Sequence, residues 1–394
     1  MIDASTQAAL WLCQICTTLS LFGCVYALVA RALTVRYARR SDAAPSERLS
    51  VTILKALHGT EVHLKENLAS FCQQDYRAPV QIIFGVQSIA DPAIPTVREL
   101  MAEFPKANMQ LVIDHRQHGS NRKISNLINM AGFIENEMVV LADSDTCVEP
   151  DYLQRLCGNL ERPGVGIVSC LYRGKYAGTI WSRLACMSME FHFLPSVVVG
   201  LTLGLATPCL GPTIAMRRET LAAIGGFDAF VDQLADDYAM GAALTKLGLR
   251  IEIPSFLIAQ NCPEQTFDEL FRHELRWART IFGIDRFGFI GLGITHALPL
   301  AVLAALLRGF DLRGLGLVAF ALFCRIWLQS GVARAFRLQD APFWLAPIRD
   351  VISFVVHVAC FFTRRVDWRG HRYTITGDGN MTPYVLSQKG KSSL

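Results

Sequence analysis

Charge is scarce in this chain. Of its 394 residues 18% are charged and 52% hydrophobic, whereas a soluble domain carries about 25% charged residues. The deficit is concentrated in residues 8–33 and 289–362, while the region between them has the composition and length of a globular domain with a full core. A basic stripe interleaved with aromatics is missing and the net charge is only +4, which excludes nucleic acid as a partner. Twelve cysteines are present. The seven outside the apolar runs form no CxxC pair and no Cys/His cluster with zinc spacing. They read as buried thiols in a reducing compartment. Internal repeats and low-complexity segments are also lacking.

The first apolar run, Gln7–Leu33, is long enough to span a bilayer, which takes about 20 residues. A signal peptide would begin with basic residues and have a shorter apolar core; here Asp3 precedes the run and no Lys or Arg does. Arg31, Arg36, Arg39 and Arg40 close it, so residues 1–35 form an anchor and the following segment lies in the cytoplasm. Residues 36–49, with SDAAPSE at their centre, read as a linker. Near the other end stand Leu292–Leu307, Gly314–Leu328 and Phe343–Phe362, giving two to three membrane helices within residues 290–364. Three full crossings would place the basic tail 365–394 outside, against the positive-inside rule. Either one stretch does not cross or the tail is an exception.

Residues 50–265 alternate strand and helix patterns. Strands are expected at Ser50–Leu57, Val80–Val86, Met109–Ile113 and Met138–Ala142, with helices at Glu61–Phe71, Ile94–Phe104 and Asn121–Ile134. That alternation specifies an α/β fold of parallel βαβ units, in which ligands bind beyond the carboxyl ends of the strands. Lys55 lies at the end of the first strand and Asp91 follows the second. Asp143 and Asp145 follow the fourth as an Asp-x-Asp pair, the hard oxygen chemistry that holds a divalent cation on phosphates. Alone, such a pair is also a common turn. Asp236 and Asp237 precede a helical run; they fit a solvated helix start or a general base. His273 to Arg279 (HELRWAR) lies in the amphipathic stretch Thr266–Phe289. Arg276 and Trp277 there suit either an interfacial anchor or a diphosphate site. The apolar stretch Ile180–Leu210 reads as core or as part of a lipid-facing pocket.

The order of these elements resembles the inverting GT-A glycosyltransferases of the family-2 type, with their D, DxD, D, (Q/R)xxRW pattern, over residues 50–285. LKALHG, with Ala56 in place of a proline, GVQSIADPAI, NRKISNL, MRRETLAAIGGF and LADDYAMG are closer still to the ceramide glucosyltransferase family. ADSD, SCLYRG, SNLINM and HELRWART are most similar to the bacterial hopanoid-biosynthesis-associated glycosyltransferases. The resemblance implies a Rossmann-like GT-A domain with a mainly parallel sheet, on the cytoplasmic side of a bacterial inner membrane. It implies a UDP-sugar donor, a lipid acceptor (hopanoid or ceramide) and Mg²⁺ or Mn²⁺ as cofactor. It gives Asp237 the role of base, Asp145 and Asp143 the metal, and Lys55, Asp91, Lys123, Asp143, Arg276 and Trp277 the donor, with Asp236 and His273 as motif neighbours. In the hopanoid branch the reaction is transfer of N-acetylglucosamine to bacteriohopanetetrol; ceramide glucosylation and short-product polysaccharide synthesis are the alternatives. His273 stands where the pattern has Gln or Arg, which weakens the analogy to processive synthases.

Overall fold

The computed structural model describes residues 4–338 and 341–362, together with the backbone of three short strands, Arg365–Trp368, His371–Ile375 and Met381–Pro383. The side chains of the basic tail, and with them the expectation attached to it, lie outside the described residues.

Ten strands build the catalytic region: β1 (Val51–Ala56), β2 (Val80–Val86), β3 (Asn108–Ile113), β4 (Met138–Ala142), β5 (Thr146–Cys147), β6 (Val165–Ser169), β7 (Leu171–Tyr176), β8 (Thr213–Arg217), β9 (Arg250–Glu252) and β10 (Leu257–Cys262). The main sheet has the order β3-β2-β1-β4-β8-β6-β9. β1 pairs in parallel with both β2 and β4, while β8 runs antiparallel between β4 and β6. The chain therefore reverses its winding between β1 and β4, and the crevice at their carboxyl ends is where this topology binds ligands. A second sheet, β5-β10-β7, stands at that crevice.

Buried strands explain the near-continuous apolar runs: all of Met138–Ala142 is buried, and only Val80 of Val80–Val86 is partly open. Strand period two puts Lys55 on the same face of β1 as Val51 and Ile53, which pack with Phe71 and Phe84. The lysine is thereby fully buried.

The anchor is one helix, Ala4–Ala38, extending past the expected boundary. Its carboxyl end is docked on the catalytic domain. Tyr37 donates its hydroxyl to the Ile253 carbonyl, and Arg40 pairs with the buried Glu252. The following SDAAPSE segment is also packed down: Asp42 accepts from the Ser255 backbone at 2.8 Å, and Ser46 N–H donates to the Gln154 carbonyl at 3.0 Å.

Among the described residues four helices are long and apolar enough to cross a bilayer: Gln7–Ala38, Ile180–Thr202, Leu312–Ala335 and Phe343–Phe362. The expected Leu292–Leu307 span is instead a bent element, with Arg286–Thr295 and Ala297–Leu307 meeting at 63°. Ala297–Leu307 and Leu312–Ala335 form a hairpin against the N-terminal helix, where Ser20 Oγ donates to the Ala297 carbonyl at 2.9 Å. The last apolar helix, Ala346–Phe362, runs beside the amphipathic helix Phe267–Ile284. Arg349 pairs with Glu274, Arg279 donates to the Cys360 carbonyl at 2.9 Å, and the Phe282 and Phe361 rings lie 5.6 Å apart.

Candidate active site

One cavity of about 1260 Å³ opens at the carboxyl ends of β1 and β4. Asp143, Asp145, Asp236, Asp237, Lys123, His273, Arg276 and Trp277 all line it. Eight of the ten residues singled out from the sequence are thus brought together from segments far apart in the chain. Lys55 and Asp91 are not on its wall. Lys55 donates its ammonium to the Asp143 carbonyl at 2.8 Å and to Thr146 Oγ1 at 3.2 Å, and so braces the Asp-x-Asp turn from below. Asp91 accepts from the Gly59 backbone at 3.0 Å and from Ala93 at 2.9 Å, and so braces the loop carrying His58, which does line the cavity.

Burial, then Asp143 and Glu61, push the Asp145 carboxyl up to about 7, with Gln260 opposing. Gln260 donates to Asp145 Oδ2 at 3.1 Å, while Asp145 Oδ1 is buried with no hydrogen-bond partner. A buried carboxylate oxygen without a donor is costly. The Asp143/Asp145 pair therefore fits a hard divalent cation, which would satisfy that oxygen. Among the described residues no group of three or more His, Cys, Asp or Glu is placed to hold a metal. The protein would supply two carboxylates, and diphosphate oxygens and water the remaining ligands.

Lys123 comes from the first turn of the helix Arg122–Ala131, whose N-cap Asn121 accepts from Ile124 N–H at 3.1 Å. Its ammonium lies 2.7 Å from Asp143 and 3.7 Å from Asp236. Burial alone would lower its affinity for the proton; Asp143, Asp236 and Asp237 outweigh that and hold it charged. Asn121 also donates to Asp236 Oδ1 at 3.2 Å, fixing the second acidic motif to the helix that carries Lys123. Asp237 is the second residue of the helix Asp236–Lys246. Burial and then Asp236 push its carboxyl up to about 6, into the range where a carboxylate takes a proton efficiently. A Cβ at Gly211 would stand 3.1 Å from Asp237 Oδ2, so a glycine there leaves room beside the base.

The cavity's other wall comes from the Phe267–Ile284 helix. His273, Arg276, Trp277 and Thr280 line it at helical spacing, followed by the apolar Ile281 and Ile284. Trp277 is edge-on to His273 at 4.8 Å and lies 6.5 Å from Phe193, which stacks on Tyr172 at 4.9 Å. His273 Nδ1 is 2.5 Å from Glu264, a buried carboxylate that sequence reading missed. Gln260, Tyr172 and Phe193 were missed too. The stretch containing Phe193 carried an apolar signal that reads first as core, with a pocket wall as the alternative.

A mainly parallel α/β sheet with two acidic turns, a cation between them and an Arg-Trp helix at its switch point defines a GT-A glycosyltransferase. The profile of Glycosyl transferase family 21 matches residues 15–381, and the chain belongs to that family. Ceramide glucosyltransferase 1 of Caenorhabditis elegans is 22% identical over 352 residues, 86% of this chain and 74% of the relative. An N-acetylglucosaminyltransferase of Rhizobium meliloti is 25% identical over 343 residues, 81% of this chain and 76% of the relative. Among solved structures, a mannosyltransferase from Pyrobaculum calidifontis in complex with GDP-Man and Mn²⁺ superposes with a TM-score of 0.53 at 19% identity, covering 89% of this chain and 99% of that one. This likeness concerns the fold.

Proposed function

We propose that this enzyme transfers a sugar from a UDP-sugar to a hydroxyl of a membrane lipid with inversion, and specifically N-acetylglucosamine to bacteriohopanetetrol. The observation that carries the reading is one cavity holding Asp237, the Asp143/Asp145 pair and Arg276 at one part, and the apolar Phe193, Val197, Ile281 and Ile284 at another. A charged donor and an apolar acceptor both find matching walls there. The rhizobial relatives' naming as N-acetylglucosaminyltransferases supports the sugar, and the ceramide glucosyltransferases support a lipid acceptor. The latter likeness equally favours a second reading, glucose to ceramide.

Asp143 and Asp145 would hold Mg²⁺ or Mn²⁺, which supplies charge neutralisation for the leaving diphosphate. Arg276 and Lys123 add fixed positive charge beside it. Asp237 accepts the proton of the acceptor hydroxyl as that oxygen bonds to the anomeric carbon. The bond from that carbon to the phosphate oxygen breaks, and UDP carries away the electron pair. A single in-line displacement inverts the centre and needs no covalent intermediate.

The lipid acceptor explains the membrane helices. The N-terminal helix, the bent Arg286–Leu307 element taken as one broken span, and Leu312–Ala335 cross the bilayer in this reading. Ala346–Phe362 stays at the surface beside the Arg-Trp helix, its Arg349 and Asp350 both buried against the protein. Three crossings before residue 346 return the basic tail to the cytoplasm, in line with the positive-inside rule.

Membranes containing the protein, incubated with UDP-N-acetylglucosamine or UDP-glucose, Mg²⁺ or Mn²⁺, and bacteriohopanetetrol or ceramide, provide the test by lipid mass spectrometry. A metal-dependent N-acetylhexosamine adduct on the hopanoid is expected. Hexose on ceramide instead would overturn the substrate assignment and retain the mechanism.

A further inference from the structure

From Leu194 to Met216 the chain carries no Asp, Glu, Lys, Arg or His. The segment begins as the helix Leu194–Thr202, packed along the N-terminal helix, with Tyr26 Oη 3.0 Å from Ser196 Oγ. It passes Gly211 beside Asp237 before entering β8. About ten residues thus link a helix packed on the apolar N-terminal helix to the candidate base. Between them the chain turns at Gly204, whose φ of +67° favours glycine. Leu203 and Leu205 flank that glycine and are 54% and 76% exposed. Leu205 at the tip already borders the cavity, and Ala206–Pro212 continue along its wall.

Ile281, 38% exposed, lines the same cavity, and Phe287, 85% exposed, follows on the next helix. Ile281 belongs to the amphipathic helix that leads into the bent Arg286–Leu307 element, and Phe287 to the start of that element. The open apolar tip is therefore continuous, on both sides of the cavity, with elements whose composition suits the bilayer. A water-facing loop carries polar residues; one with two exposed leucines and no charge matches the headgroup–acyl boundary.

We propose that the Leu203–Thr207 loop is a membrane-inserted lip. It sits in the leaflet surface and, with Ile281 and Phe287, bounds a side entrance through which a lipid acceptor slides into the cavity with its apolar body still in the bilayer. The acceptor's passage rests on the function proposed above; insertion of the lip does not.

The full chain carrying Leu205→Trp, reconstituted into phosphatidylcholine vesicles, reads insertion directly. Fluorescence added over the parent protein should be quenched by acyl-brominated lipid and shielded from aqueous iodide. The opposite pattern overturns the lip, as does a tip buried against a second copy, which neither agent reaches. Leu203→Glu should lower transfer to acceptor embedded in vesicles about fivefold, while transfer to a water-soluble short-chain acceptor holds. Equal loss on both acceptors overturns the entrance. Quenching without glycosylation of any lipid supports the lip and overturns the acceptor reading alone.

Discussion

The Lys123 ammonium lies 2.7 Å from the Asp143 carboxylate, so the Asp-x-Asp turn and the helix bearing Asp237 share one half-buried cation. Lys123 also favours the charged form of Asp237. Lys123→Met removes that help without adding bulk. The base should then hold its proton more tightly, and the acid limb of kcat/KM, expected near 6 in the parent protein, should move to higher pH. Turnover at neutral pH should drop on the order of a hundredfold, the scale of losing one preorganised charge. An unmoved acid limb would show that Lys123 does not act on the base.

Asp237→Asn should abolish transfer and leave UDP-sugar binding, measured by calorimetry, nearly intact. Its effect on stability has the opposite sign. The Asp237 carboxyl sits above its ordinary value when folded, so the carboxylate form opposes folding as pH rises through about 6. The Asn variant should therefore melt roughly 2–4 °C higher at pH 8, with the gain fading as pH falls below about 6 and nearly gone by about 4. A variant less stable at pH 8 would contradict the burial argument.

Local pattern made much of this architecture legible. Val80–Val86 and Met138–Ala142 are strands over the very residues whose near-continuous apolar runs marked them. The acidic pair at the end of β4 follows from the same logic, because a buried strand must surface into a polar turn. Long-range pairing left no such trace. β8 enters antiparallel between β4 and β6, and β5 is a two-residue strand. Its register with β10 sets Gln260 opposite Thr146, and Gln260 thereby reaches Asp145. No local spacing encodes that contact. The facing of Lys55 was hidden for another reason: a lysine at a strand end is normally solvated, and the helix Leu64–Cys72 that covers it is placed by tertiary packing.

Arg349 is fully buried and bonds both oxygens of Glu274, at 2.6 and 2.5 Å. Glu274 is two residues from Arg276 on the helix lining the cavity. Arg349→Met would leave Glu274 with its charge unpaired, a loss on the order of 3–5 kcal/mol. The expected result is a large fall in melting temperature and poor recovery from membranes. Glu274→Gln combined with Arg349→Met removes both charges and should recover part of that stability. Equal melting points for the single and double variants would mean that the pair contributes little.

Lys55→Met separates bracing from direct contact. Lys55 holds the Asp143 carbonyl and Thr146 Oγ1, lies 3.3 Å over the Phe71 ring, and does not line the cavity. Methionine keeps the packing and loses both hydrogen bonds, so the Asp-x-Asp turn should loosen. Donor affinity in Mn²⁺ should weaken about tenfold, the scale of two buried hydrogen bonds at about 1 kcal/mol each less some relaxation. In chelator, where the turn no longer binds the donor through a cation, parent and variant should hold UDP equally. A direct lysine–diphosphate contact predicts the reverse, a deficit that persists in chelator, so the ratio of the two affinities decides between them.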